Sequence, residues 1–452
     1  VGSEMCIRDS YILYLLSTKW HSYNVEYIHM ANQNSTKNLV CPFCSLHCDD
    51  IQVKTNGKKY NVVENISCRK KIESYNINRH SNTYPLMKNK IISLSDAIKK
   101  IKDIVNSHKE ILILNHGIEL SGLRSILNFA SQHNSIIDHI NSKYLFQNIG
   151  VVQRTGYIAT SLTETKNRAD TIIIIGNKIF DKSPRLIDKV LLPKHSLCSN
   201  KNNRNVILIG NFPIKIQKEI KNRCKLTNIK IDLDLVPDLL KNLQKEKGKA
   251  IKGVSANTEI KLKNIISKSK YLVTTWAASD FMKNKKPEII INSICGYIVN
   301  LNQTHRAACM PISGSLADVT SSQAMTWMTG FPSRIKHVSN SFKHDRESYD
   351  SENLISKKNV DLVLHISTIS PDKIEINKKI KNIVIGHPNS TFTNQPDIFI
   401  PVGIPGIDYE GIMFRTDNVV SVALKDVRNI SLPNSQSILA VSYTHLRAHE
   451  TS

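Results

Sequence analysis

Short, continuous runs of β-branched and aliphatic residues recur along this chain and constrain its fold more than any other feature. Residues 111–114, 171–175, 206–209, 271–274, 361–366, 383–385 and 398–402 are too short for helices and show almost no polar face. A strand without a polar face must be covered on both sides, the condition of a parallel sheet enclosed by helices. The intervening stretches supply those helices. Over residues 93–107, Leu94, Ala97, Ile98, Ile101, Ile104 and Val105 repeat at helical spacing, and Ser93 with Asp96 makes a capping pair at the start. Leu123, Ile126, Leu127 and Ala130 repeat the spacing after Gly122.

Two polar stretches, residues 194–205 and 337–358, read as exposed connections. A chain of 452 residues exceeds one core and implies two to three domains. The expected division is a Cys-bearing segment over residues 30–85 and α/β layers over residues 86–440, the latter open to interleaving. Residues 1–10 (VGSEMCIRDS) and 441–452 (VSYTHLRAHETS) resemble translated sequencing adaptors. Residues 1–29 are therefore expected to be non-native or upstream sequence, with Met30 as the natural start.

Cys41, Cys44, Cys48 and Cys68 stand in C-x2-C-x3-C-x19-C spacing. Three thiolates on one loop and a fourth from a nearby segment suit the corners of an iron–sulfur cubane, whose iron favours soft sulfur ligands. Zinc, with His47 as a stand-in ligand, and reduced structural thiols are the alternatives. The other five of the nine cysteines are scattered, so the set fits a reducing compartment better than a disulfide framework, and the cytoplasm is the expected location. No apolar stretch reaches the 18 or so residues of a membrane span. The net charge of +23 comes from 61 Lys and Arg against 38 Asp and Glu spread along the whole length, and only 6% of residues are aromatic. That pattern reads as compositional bias rather than a nucleic-acid face.

At CPFCSLHCDDI (residues 41–51) and VVENISCRKK (62–71) the chain resembles the B subunit of formylmethanofuran dehydrogenase, of the molybdopterin oxidoreductase superfamily. It also resembles that subunit's bacterial relatives, the B subunits of methylotroph formyltransferase/hydrolase complexes. The resemblance continues through TKNRADTIIIIGN (165–177), TWMTGFP (326–332) and PDIFIPVGIPGIDYEGIMFRTDNVV (396–420), spanning most of residues 38–425.

It implies a molybdopterin-oxidoreductase-like α/β fold, with a small N-terminal Cys-rich segment and parallel-sheet domains. It implies a [4Fe-4S] cluster on Cys41, Cys44, Cys48 and Cys68, and domains of the kind that cradle two pterin guanine dinucleotides around molybdenum or tungsten. Dehydrogenase members give that metal a Cys or selenocysteine from a short segment after the first α/β helix. Matched without gaps from Asp138 to Gly156, the position falls on Tyr144, followed by Leu145 where a His is expected; no cysteine lies between Cys68 and Cys198. A phenol of pKa ~10 is a hard and protonated substitute for a thiolate.

The resemblance thus implies a degenerate, noncatalytic B subunit in a complex that moves a formyl group from formyl-tetrahydromethanopterin to a methanofuran-like carrier and hydrolyses it to formate. Its partners would be the complex's other subunits, which hold the transferase and hydrolase sites. The alternative is a working dehydrogenase subunit, whose cluster and metal bis-pterin interconvert carbon dioxide and a formyl group or formate.

Smaller signals accompany this. Gly176, after the isoleucine run, sits where open α/β sheets hold nucleotides, although a plain turn explains it too and Lys178 stands where the resemblance leads one to expect proline. Gly403, Gly406 and Gly411 resemble a pterin-side loop, and with Pro401 and Pro405 equally explain a tight connection. Asp49 and Asp50 are expected to point opposite ways, one bonding the cysteine loop. Lys70 and Lys71 read as a charge bridge toward a pterin or as solvated lysines. His305, Arg306 and Cys309 read as loop residues, and Ser313 lacks a nucleophile-elbow context.

Overall fold

The computed structural model describes residues 35–55, 60–62, 68, 83–197, 203–246, 248–284, 286–313, 317–428 and 430–444. The expected non-native stretch 1–29, the candidate charge bridge of Lys70 and Lys71, and residues 445–452 of the adaptor-like tail lie outside the described residues.

Strands β1 (Ser35–Leu39), β2 (Ile51–Thr55) and β3 (Tyr60–Val62) form a small antiparallel sheet around the cysteine loop. The chain then lays down β4 (Leu86–Met87), β5 (Lys90–Ile91), α1 (Leu94–Ser107), β6 (Ile111–Gly117), α2 (Leu120–His133) and β7 (Ile136–His139). Helices α3 (Ser142–Thr155) and α4 (Leu162–Arg168) lead to β8 (Thr171–Ile175), α5 (Lys178–Lys182) and β9 (Asn205–Ile209). There follow α6 (Ile214–Lys221), β10 (Lys225–Ile229), α7 (Val236–Leu243), α8 (Ala256–Ser267), β11 (Tyr271–Trp276), α9 (Pro287–Leu301) and β12 (Arg306–Pro311). After α10 (Asp318–Thr329) come β13 (Ile335–Val338), β14 (Ser341–His344), α11 (Ser351–Ser356), β15 (Leu362–Ser367), β16 (Lys373–Ile374) and β17 (Lys381–Gly386). The chain closes with β18 (Thr391–Phe392), β19 (Ile398–Pro401), β20 (Gly411–Phe414), β21 (Ser421–Leu424) and α12 (Ser435–Thr444).

Two large sheets organise these elements. The first has the order β10-β9-β8-β11-β12 and is wholly parallel. The second, β14-β13-β7-β6-β15-β17-β19-β4-β5, is parallel from β7 to β19 and antiparallel at both edges. It joins residues 86–139 to residues 335–401, so the five-stranded sheet is inserted between its halves.

All seven expected strands form. Burial explains why they could be read: Ile172 and Ile174 enter one apolar core, Ile173 and Ile175 the core on the other face, each no more than 1% exposed. Fully burying one such side chain is worth about 1.5–3 kcal/mol. Helix α1 starts as expected, with the Ser93 hydroxyl accepting the Asp96 N–H at 3.0 Å.

Three expectations need correction. The nine-stranded sheet is mixed rather than parallel throughout, because short antiparallel pairs cap its edges. The cysteine segment is not set apart as a module. Cys41, Cys44, Cys48 and Cys68 share one core with Ile172, Ile174, Val206 and Leu208 of the five-stranded sheet. Residues 337–358 are not a plain connection: they hold the end of β13, all of β14 and α11. Ser339 and Asn340, both at positive φ (48° and 65°), turn that hairpin, and Asp350 caps α11 through the Asn353 N–H at 2.9 Å. Their polar composition hid them. Among the described residues no helix is long and apolar enough to cross a membrane.

Candidate functional site

The cysteine loop is closed by its own backbone. The Cys41 N–H donates to the Cys48 carbonyl at 2.9 Å, and the His47 N–H to the Cys44 carbonyl at 3.0 Å, with His47 in the left-handed region at φ 44°. All four cysteines are buried, at 4–7% exposure, and none is in a disulfide. Burial, with Cys44 close by, pushes the Cys48 thiol up to about 12 against the pull of Arg185 and Lys189. Such a thiol stays protonated unless a metal displaces the proton.

The aspartates differ in exposure as expected, but the bonded one meets two cations outside the cysteine loop rather than the loop itself. Asp50 takes a two-pronged bond from Arg185 (2.7 and 2.8 Å) and an ion pair from Lys189 (2.7 Å), while Asp49 is largely exposed. Burial opposes the Asp50 charge, but Arg185 and Lys189 hold its carboxyl well below the usual range. Four soft donors in a dry setting with two cations beside them suit an anionic iron–sulfur group. The ring of His47 faces two backbone carbonyls, of Cys41 (3.0 Å) and Phe414 (3.2 Å), so it is occupied there and not poised as a zinc ligand. Among the described residues no three His, Cys, Asp or Glu side chains surround a single ion position.

Phe414 belongs to the second segment singled out by resemblance, and tertiary structure brings the two together. The Thr416 N–H donates to the Ser45 carbonyl at 2.9 Å, and Gly406, at φ 79°, lies against Pro42. The glycine loop is locked by Asp408, whose carboxylate takes bonds from Arg428 at 2.5 and 2.9 Å and from the Ile404 N–H at 2.8 Å. Sequence reading missed that buried pair because the partners stand twenty residues apart in a polar stretch.

Tyr144 lies in the first turn of α3. It is partly buried and packs against the apolar core of the five-stranded sheet, and Lys143 stands 5.6 Å from its ring centroid. The next residue, Leu145, lines a cavity of about 230 Å³ with Asn148, Trp276, Cys295 and Gln323, between α3, β11, α9 and α10. Sites for one drug-sized ligand span roughly 300–1,000 Å³, so two dinucleotides do not fit here. Gly176, at φ 81°, faces Asp280: a methyl group there would lie 2.4 Å from the Asp280 carboxyl carbon. The same carboxylate accepts the Lys178 N–H at 3.1 and 3.3 Å.

The remaining sequence signals have structural partners, and Arg306 and Cys309, expected in a loop, instead lie in strand β12. His305 bonds the Ser267 carbonyl at 3.1 Å, Arg306 pairs with Glu164 at 2.7 Å, and the Ser313 N–H donates to the Thr416 hydroxyl at 3.0 Å. A feature the sequence did not announce is a histidine relay beside a cavity of about 750 Å³. Asn382 anchors its amide nitrogen on the carbonyls of Asn377 and Ile380 and so presents its oxygen to His365 Nε2 at 3.1 Å. His365 Nδ1 is then the acceptor for His116 Nε2 at 3.1 Å, and burial holds both rings neutral.

Two large α/β sheets, one inserted in sequence between the halves of the other, with a buried loop of three cysteines and Cys68 in the same core, define an α/β protein. No family model matches the chain. It is 23% identical to the B subunit of the tungsten-containing formylmethanofuran dehydrogenase 2 of Methanococcus maripaludis over 418 residues, covering 85% of this chain and 92% of that protein. It is 24% identical to the same subunit of Methanocaldococcus jannaschii, at 85% and 92% coverage. Against the B subunit of the formyltransferase/hydrolase complex Fhc of Methylorubrum extorquens the identity is 17%, covering 71% of this chain and 84% of that protein. A chain in the crystal structure of the formyltransferase/hydrolase complex FhcABCD from Methylorubrum extorquens with methylofuran superposes with a TM-score of 0.66 at 17% identity, covering 81% of this chain and all of that one. Over most of its length the chain is thus similar to B subunits of formylmethanofuran dehydrogenase and, at lower identity, to the B subunit of the Fhc complex.

Proposed function

We propose that this chain is a B subunit that keeps the dehydrogenase shell but holds no redox metal at a bis-pterin site. On this reading it works as a cytoplasmic scaffold within a complex that transfers a formyl group from formyl-tetrahydromethanopterin to a methanofuran-like carrier and releases formate. The other subunits of that complex are its partners and carry the transfer and hydrolysis chemistry. What supports the reading is Tyr144, whose ring packs into the core at the position that the resemblance assigns to a metal-binding thiolate. A phenol engaged in packing does not replace a soft thiolate ligand.

Cys41, Cys44, Cys48 and Cys68 would hold a [4Fe-4S] cluster, and Gly176 would serve the protein's own loop rather than a nucleotide. A bound cluster supplies one-electron transfer. The buried residues around it would exclude water, and Arg185 and Lys189 would balance its charge.

A working dehydrogenase subunit is the second reading. It is favoured by the higher identity to the two tungsten-containing dehydrogenase subunits, 23% and 24% against 17%. Elemental analysis of the anaerobically purified native complex for iron, zinc, molybdenum and tungsten separates the two. Iron without molybdenum or tungsten is expected; stoichiometric molybdenum or tungsten overturns the scaffold.

A further inference from the structure

We infer that the chain closes both of its dinucleotide crevices with its own carboxylates, Asp280 and Glu119, and so excludes guanine dinucleotides as well as the metal they would carry. The inference rests on the scaffold reading and extends it from the metal's ligand to the organic part of the group.

In an open parallel sheet, ligands lie beyond the carboxyl ends of the strands, where the strand order reverses, with their phosphates on backbone N–H groups. In the five-stranded sheet the order reverses between β8 and β11. Asp280, four residues after β11, reaches across to Gly176, the first residue after β8. Its oxygens accept the Lys178 N–H, and the Lys178 ammonium is drawn back onto the Ser279 carbonyl at 2.8 Å. The space above the glycine is filled by a carboxylate of the chain.

In the nine-stranded sheet the order reverses between β6 and β15. Glu119, two residues after β6, is 1% exposed. Its Oε1 accepts the Gly122 N–H at 2.8 Å, and its Oε2 accepts the Tyr409 hydroxyl at 3.2 Å. Helix capping accounts for the first bond. It does not account for Gly411, where a methyl group would lie 2.8 Å from Glu119 Cγ, so a second segment is fitted around the same side chain.

The two crevices belong to different sheets and use different residues, yet each sets a side chain on the amide where a pyrophosphate would sit. A pyrophosphate entering either one finds that amide already bonded and the space beside it filled. Burial raises both carboxyls, Asp280 to about 6.

The test uses the native complex. Nucleotides are extracted from freshly purified material and identified by chromatography, and GDP is titrated calorimetrically into the wild-type complex and into one carrying Asp280→Ala and Glu119→Ala. The expected result is no guanine nucleotide in the wild-type extract, no GDP heat for wild type, and GDP affinity at least about tenfold higher in the truncated variant. Circular dichroism and size-exclusion chromatography confirm that the variant is folded and assembled. Stoichiometric guanine nucleotide in the wild-type extract, or GDP binding by wild type, overturns the inference. A variant as indifferent to GDP as wild type also overturns it, because the carboxylates are then not what closes the crevices. Guanine nucleotide found without molybdenum or tungsten removes this inference and leaves the scaffold standing, whereas either metal removes the scaffold itself.

Discussion

The cysteine loop and the β8–β11 crevice lie on the same five-stranded sheet and treat charge in opposite ways. At the loop, Asp50 is held ionised by Arg185 and Lys189 next to four buried thiols, an arrangement that can balance a charged group. At the crevice, Asp280 is pushed toward its neutral form by burial and spends its bonds on the chain's own amides. Beside the loop a carboxylate is held charged by side-chain cations, while in the crevice one is bonded by backbone amides. The difference teaches that the same residue type can be driven toward opposite protonation states on one sheet, by guanidinium and ammonium partners in one place and by burial in the other.

The largest expected effect breaks the loop's support. Arg428→Ala leaves Asp408 as a buried, uncompensated carboxylate at 1% side-chain exposure, and it should cost about 3–5 kcal/mol in denaturant unfolding. A loss under about 1 kcal/mol would show that the glycine loop does not brace the cysteines.

The next effect concerns pH at the crevice. The Asp280 carboxyl rises from 3.8 to about 6 on folding, with Lys178 and Asp181 the charged groups around it. At about 1.4 kcal/mol per pH unit this amounts to up to about 3 kcal/mol. The folded state binds more protons between the two values, so this contribution makes stability fall as pH rises from about 4 to about 6. Asp280→Asn should flatten that slope in unfolding curves collected across the window. An unchanged slope would mean that the crevice does not hold the proton.

Smaller still is Tyr144→Cys, which removes a partly buried ring from the core. It should cost about 1–2 kcal/mol, below the range for fully buried aromatics, and bring no molybdenum or tungsten into the complex. Metal uptake by that variant would show that one side chain alone had silenced the site.

The smallest effect sharpens the contrast directly. The Asp50 carboxyl is depressed, so its contribution is present above the ordinary carboxylate range and is lost as pH falls through its low folded value. Asp50→Asn should therefore lower stability at neutral pH and flatten its fall on acidification in unfolding curves, the mirror image of the Asp280→Asn effect. Because Asp50 is partly solvated, the change at neutral pH should stay within about 1 kcal/mol.

Much of the fold was legible before the structure. Strands such as β8, TIIII, carry their burial in their composition, and Ser93 marks the start of α1 through its cap. Strands β10, KLTNI, and β12, RAACMP, were missed because their exposed or small residues blur the apolar pattern. Hairpin β13–β14 was missed because its signal lies in positive-φ turn residues rather than in apolar runs. At the site, the cysteines and Tyr144 could be named from spacing and resemblance. Asp280, Glu119 and the Asp408–Arg428 pair could not, since a lone carboxylate in a polar stretch gives no sign of which amide it will meet.

The sequence by itself determined the local rules: which runs must be buried on both faces, where α1 begins, and that four thiols stand at cluster spacing. Tertiary structure alone decided which distant segments share a crevice. Local periodicity depends on neighbours a few residues apart, whereas the meeting of Asp280 with Gly176, or of Phe414 with His47, is set by strand order and by chain segments 104 and 367 residues apart.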